Sequence, residues 1–320
     1  MGPELILKSL PLNSFLTKMK HYIIACITFM IFGLQAEEAE KNDLRLIHDK
    51  SAQTISLYRK GNDTPLIVQN GKKDFRPYIH PIVGPDGKGE LTQYSPGHHK
   101  HQTGVYWAFT GVNGRDYFHH PEGSYWKKKS MEIINGQGTE AKWKTLYHLL
   151  AKDGGPVMEE TQTWSIFDTG KEFVMDLEWS GKAVVDLSVK KYPYGGLFLR
   201  MTYERGVKAE ARNTKGQKNS ETEGMRAPWV NVGMKIPGRD NWGNITVFDH
   251  PDNPEYPNFW RVDRQFGFGP ASARGAGWSL KQGESRTYKH RLVVYTGQFN
   301  KELIDQTWAG WAGKVLKAKN

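Results

Sequence analysis

Residues 172–179 read Glu-Phe-Val-Met-Asp-Leu-Glu-Trp. Phe173, Met175, Leu177 and Trp179 fall on one side at a spacing of two, with Glu172, Asp176 and Glu178 opposite. That period belongs to a β-strand with one face on a core and the other toward water. Tyr288, His290, Leu292 and Val294 repeat it near the end of the chain. Working outward, Ile55–Tyr58, Trp143–Leu149, Leu197–Tyr203 and Ile245–Phe248 are further short β-rich segments between Gly, Asn or Asp breakers. One helix is expected, capped by Asn300, with Leu303, Ile304, Trp308 and Trp311 on its apolar side. The fold class is therefore all-β: a large antiparallel β-sandwich with long loops and a short C-terminal helix.

The N-terminal region reads differently. Met19-Lys20-His21 is a short basic start, Tyr22 to Leu34 is an unbroken apolar or small run, and Ala36 offers a small residue for cleavage. The run is shorter than the roughly 20 residues a spanning helix needs. Residues 1–36 are thus read as a signal-peptide region with Met19 as the expected true start. Residues 37–320 are read as one β-sandwich domain, exported, with the periplasm as its expected location. Cys26 is the only cysteine and lies inside the signal, so the mature chain is expected to carry no disulfide and no thiol chemistry. No second long apolar run follows, so no membrane span is expected. Removing residues 1–36 takes away Lys8, Lys18, Lys20 and Glu4, and the net charge of +10 falls by two. A basic exported chain points to an anionic polysaccharide or a membrane surface rather than nucleic acid, with plain solubility as the alternative.

Two segments concentrate chemistry. The first is Arg76-Pro-Tyr-Ile-His80-Pro with Ser95-Pro-Gly-His98-His99-Lys100-His101-Gln102-Thr-Gly104, which holds four of the 11 histidines. In an extended segment His99 and His101 share a side, where they can act as base and acid or chelate a divalent metal. A solvated His-rich loop is the alternative. The strand-like Val105-Tyr106-Trp107-Ala-Phe109 follows. The second segment is Asp249-His250-Pro-Asp-Asn253-Pro-Glu-Tyr-Pro257-Asn-Phe-Trp260-Arg261. Its prolines stiffen a platform for His250, Asn253, Trp260 and Arg261, or simply build a turn with Trp260 as a core plug. Trp107, Trp126, Trp229 and Trp260 lie near loops and are assigned to a sugar-binding cleft; Trp164 and Trp179 are assigned to packing. The chain has no G-x-S-x-G elbow, no H-E-x-x-H helix and no Walker A loop.

These segments carry a resemblance that runs from about residue 44 to 311. Arg76-Pro-Tyr-x-His80-Pro precedes Pro85-Asp-Gly, the His-rich block ending in Gly104, and Asn113-Gly. Gly195-Gly-Leu-x-x-Arg200, Ala227-Pro-Trp229 and Asp249-His-Pro-x-Asn-Pro254 follow, with Trp260. Together they resemble the secreted bacterial family labelled "methane oxygenase PmoA". The particulate methane oxygenase is an integral membrane protein, whereas members of this soluble family resemble carbohydrate-utilisation proteins. The resemblance implies a large β-sandwich and oligosaccharide dehydration, giving an unsaturated uronic acid at the non-reducing end of ulvan-type fragments. The family's block reads Asp-His-Pro-His-His-Arg-Gly, and this chain keeps histidines at His99 and His101 but replaces the Asp, the third His and the Arg. After Trp260 the family has His-Val-Arg, and this chain has Arg261-Val-Asp263.

Dehydration across C4–C5 of a uronic acid needs a neutralised carboxylate, a base for the C5 proton and an acid for the departing hydroxide. His99 or His101 is expected as base, with the other or Tyr106 as acid, and His80 and His250 as further catalytic candidates. Arg76, Arg200 and Arg261 are candidates for the carboxylate. Asn253, Trp107, Trp229 and Trp260 complete the expected binding set. Three readings compete: a non-catalytic carbohydrate-binding protein, a mutarotase-like epimerase, and a metal-dependent hydroxylase using His99, His101 and a distant acid.

Overall fold

The structure is a computed structural model that describes residues 43–97 and 99–313. The signal-peptide region, Met19, Cys26 and His98 lie outside the described residues. The decisive stretch forms the strand Glu172–Ala183, whose alternate residues Phe173, Met175, Leu177 and Trp179 are buried as the period requires. Ile55–Tyr58, Trp143–Leu149 and Ile245–Phe248 each lie inside a strand. The strand expected over Leu197–Tyr203 stops at Arg200.

Among the described residues the strands make two large antiparallel sheets and a small third one, Leu187–Val189 paired with Trp278–Leu280. The larger has nine strands, in the order Trp260–Val262, Gly267–Pro270, Gly196–Arg200, Val105–Ala108, Tyr78–Ile82, Ile67–Asn70, Thr54–Arg59, Leu44–Asp49 and Gln137–Gly138. The other has eight, in the order Ala209–Asn213, Trp229–Lys235, Trp242–Asp249, Ser285–Thr296, Glu172–Ala183, Pro156–Asp168, Glu140–Leu150 and Trp126–Asn135. The two sheets bury one core between them. Trp107 of the first sheet stacks on Trp179 of the second, with ring centroids 4.5 Å and planes 14° apart. Tyr288 and His290 pack against the same indole. Each such ring removes roughly 150–250 Å² from water, a gross gain of about 4–6 kcal/mol.

The helix Lys301–Trp311 is capped as expected, the Asn300 side chain accepting from the Leu303 amide at 3.1 Å. Its apolar side differs from the reading. Ile304 is buried against Trp229 and Phe248, with Trp308 and Trp311 packed beside them, while Leu303 faces solvent. Among the described residues no helix is long and apolar enough to cross a membrane.

Several titratable groups sit inside this fold, and they set its acid response. Burial is the main cause that pushes the rings of His80, His101 and His290 down to about 4, 3 and 3 from an ordinary 6.5. Burial also raises Glu160 to about 7 and Asp249 to about 6. From about pH 6 down to about 4.5, the unfolded chain binds protons on the rings while the folded chain binds them on the two carboxyls, so the two effects largely oppose. From about 4.5 to about 3.8 the unfolded carboxyls take up their protons too, and below that the rings alone pull toward the unfolded state. Stability is expected to fall steeply from about pH 4.5 to about 3. His290→Gln should make that limb shallower by up to one proton, about 1.4 kcal/mol per pH unit, in urea titrations across this range. An unchanged slope would remove His290 from the account.

Candidate active site

The site grows from the outer face of the nine-stranded sheet. Tyr78, Tyr106 and Phe198 are register partners on neighbouring strands. Trp107 points into the core, so the adjacent Tyr106 points the other way. Arg76 covers it, with its guanidinium 3.6 Å from the Tyr106 ring centre. That guanidinium donates to the carbonyls of Phe118 at 2.8 Å and His101 at 2.5 Å, and to Thr103 Oγ1 at 3.2 Å. Burial pulls it down to about 10, which leaves it charged at neutral pH. Arg76 thus fastens the His-rich loop to the loop holding Phe118. Gly104 lets the first loop close: its φ is +73°, and a Cβ there would lie 2.3 Å from the Ile79 carbonyl oxygen.

Above this floor, imidazoles converge. The His101 ring lies 4.6 Å from His119 and 6.0 Å from His99, centre to centre. They line a recess of about 90 Å³ together with Phe118, Tyr194 and Arg261. The recess shares His99, Arg261 and Asp263 with a wider cleft of about 680 Å³. That volume suits a small ligand, for which clefts of roughly 300–1,000 Å³ are typical.

One hydrogen-bonded chain gives the recess its direction. His119 Nδ1 donates to Asp116 Oδ2 at 2.7 Å, because an ionised carboxylate only accepts. Asp116 Oδ1 accepts from the amides of Phe118 and His119, which fixes the turn. Burial raises the Asp116 carboxyl, but its bonds to His119 and these amides outweigh this and hold it below the usual range. With Nδ1 protonated, His119 Nε2 carries the lone pair and accepts from the Tyr194 hydroxyl at 3.1 Å. Burial, then the neighbouring Tyr192, push the Tyr194 phenol up. His101 is half-buried beside His119, Arg76 and His99, which holds its ring well below the ordinary imidazole range, so it stays neutral across the working range. His99 Nδ1 donates to Gln265 Oε1 at 3.1 Å, and that oxygen also accepts from Arg200 Nη2 at 2.8 Å. Arg261 and Arg274 both bond Glu223 Oε1, at 3.0 and 2.7 Å, so two cations share one carboxylate beside the cleft.

The residues present do not make a metal centre. His119 spends both ring nitrogens on Asp116 and Tyr194, and His99 Nδ1 is spent on Gln265. Among the described residues no group of three or more His, Cys, Asp or Glu side chains is arranged to hold a metal ion. The divalent metal, and the hydroxylase triad built on His99 and His101, therefore lack a ligand set among these residues.

Of the expected residues, His99, His101 and Arg261 come together here. Tyr106 is sealed beneath Arg76, and burial raises its phenol, so it is no acid for a substrate. Arg76 is itself wholly buried and holds loops rather than a carboxylate. Arg200 is buried under the cleft, bonded to Gln265 and Gln93. His80 bonds Thr92 and stacks on Tyr94, outside the recess. His250 stands edge-on to Trp311, packed with the other sheet. Asn253 is a buried tie between Asp249 and the Lys289 backbone. The tryptophans assigned to binding are all core: Trp107, Trp126, Trp229 and Trp260 are fully buried. Trp229 bonds Asp305, and Trp260 bonds the Ala227 carbonyl. The reading missed Asp116, His119, Tyr194, Asp263 and Gln265. The signal that was available is Asp116-x-x-His119, a side chain able to turn back on its own loop.

A family model described as a family of unknown function, DUF6807, matches residues 58–309. The chain belongs to the DUF6807 family. No curated protein matches this DUF6807 chain. Among solved structures it is similar to a galactose 1-epimerase from Lactobacillus acidophilus, at 8% identity and a TM-score of 0.42, over 80% of this chain and 99% of that one. It is also similar to a GH36 α-galactosidase from Geobacillus stearothermophilus, at 10% identity and a TM-score of 0.41, over 79% of this chain. The DUF6807 chain spans 41% of that α-galactosidase's length.

Proposed function

We propose that this chain is an exported carbohydrate-active lyase that removes water from the terminal uronic acid of an anionic, ulvan-type oligosaccharide. The observation that carries the reading is the Asp116–His119–Tyr194 chain opening into a recess beside Arg261. Proton abstraction next to a carboxylate needs an oriented base, a nearby acid and a cation. His119, held by Asp116, takes the C5 proton on Nε2. The C–H electrons form the C4=C5 bond as the C4–O bond breaks. Tyr194 turns its proton to the leaving oxygen, which departs as water. The imidazolium then returns its proton to the phenolate across the same 3.1 Å contact, and the pair is reset. Arg261 faces the substrate carboxylate, and neutral His101 supplies a hydrogen bond. The family resemblance of the Arg76 and Asp249 blocks supports the same chemistry.

The test mixes residues 37–320 with uronate-ended oligosaccharides and follows the ultraviolet absorbance of the conjugated double bond. A steady rise is expected. Binding with no rise against any uronate removes the lyase reading. Exchange between anomers without a rise would instead mark an epimerase.

A further inference from the structure

A second cleft of about 530 Å³ adjoins the first and shares Arg264 and Gln265 with it. Among the described residues its walls carry Arg200, Arg205 and Arg264 with Gln93, Tyr203 and Gln265, and no carboxylate. Arg205 and Arg264 are exposed. Arg200 is buried beneath them, its Nη1 makes no hydrogen bond, and its nearest acid, Asp263, stands 4.0 Å away. Three guanidinium groups lining one cleft repel one another. An anion placed among them turns repulsion into attraction, and a planar guanidinium suits the oxygens of a carboxylate or sulfate.

We infer that this cleft is a subsite for a second anionic substituent of the oligosaccharide, one sugar along from the residue that reacts. The inference rests on the proposed reading of the main cleft and adds to it a requirement for charge beyond the terminal uronate. The shared ligand chemistry is an oxyanion, either a sulfate ester or a uronate carboxylate. Gln265 joins the two clefts, since its side-chain oxygen accepts from both His99 and Arg200. An anion drawing on Arg200 is therefore linked through Gln265 to His99 of the recess.

The experiment is calorimetric titration of the full mature chain and of the R205A/R264A variant, both substituted side chains being exposed. The probes are a uronate-ended fragment sulfated on its second sugar, the same fragment with a second uronate in place of the sulfate, and the fragment with neither. The wild type should bind at least one doubly charged fragment about tenfold or more tighter than the fragment that carries the terminal uronate alone, a gap that shrinks as salt rises. The gap should close in the variant. Closure for the sulfated fragment alone assigns the cleft to sulfate, and closure for the uronate alone assigns it to carboxylate. A variant that keeps the wild-type gap, or a wild type with no gap, overturns the inference. The outcome is separable from failure of the lyase reading: a gap that closes in the variant, with no double bond ever formed, leaves an anion-binding protein with this subsite intact.

Discussion

His119→Asn lowers turnover of a uronate substrate by about 10²–10⁴-fold and leaves KM within a few-fold of wild type, the span that a positioned acid–base group supplies. The asparagine carries a hydrogen-bonding group of similar reach but no basic nitrogen. The ring's neighbours bound the structural cost. His119 is half-buried at the mouth of the recess, and the turn beneath it is held by backbone donors to Asp116 that the substitution leaves in place. The thermal midpoint should therefore move little. Asp116→Asn is the companion variant. It keeps the turn but presents an amide to Nδ1, which favours the wrong tautomer, so kcat falls while folding and binding persist. Steady-state kinetics with unfolding curves on both variants separates the cases. Wild-type kcat in His119→Asn would move the base elsewhere, and His99 would be the next to test.

Arg76→Met has the largest expected effect on the fold, a destabilisation of about 3–5 kcal/mol in urea unfolding. Methionine fills part of the space over Tyr106 but offers no donors. The Phe118 and His101 carbonyls and Thr103 Oγ1 would then lose a charged partner in a dry setting. Hydrogen bonds to charged groups are worth about 1.5–3 kcal/mol each, partly recovered if water enters. Losses above about 4 kcal/mol are rare for single substitutions and come from sites of this kind. Arg76 ties together both loops that carry the imidazoles, so the site should loosen at temperatures where the sheets are still intact. A loss under about 1 kcal/mol would mean the loops are held by other bonds.

Much of the fold was legible because it rests on a period. Phe173 to Trp179 alternate, and nothing but a half-buried strand satisfies that pattern. The site was legible only in part. The His99–His101 spacing revealed a shared side, and Arg261 was found through its stiff neighbours. Local spacing is silent about which face of a sheet a loop folds onto. His119 and Tyr194 are 75 positions apart and meet only because their loops close over the same outer face. Burial was misjudged for a related reason. Trp107, Trp229 and Trp260 sit near loops in sequence, yet a large apolar ring beside a loop is still drawn into whichever core lies beneath it. Arg76 shows the converse: a charged side chain was taken for a ligand contact when its partners were backbone and hydroxyl oxygens elsewhere in the fold.

The Trp107–Trp179 stack has an optical consequence. Two indoles 4.5 Å apart and 14° from parallel exchange excitation, so their near-ultraviolet circular dichroism belongs to the pair rather than to either ring. One ring belongs to each sheet, and the signal exists only while the sheets are pressed together. The cleft, by contrast, is floored by phenols and imidazoles. The chain therefore carries a spectroscopic gauge of sheet contact built from rings that lie outside the cleft, and the parting of the layers can be followed through it.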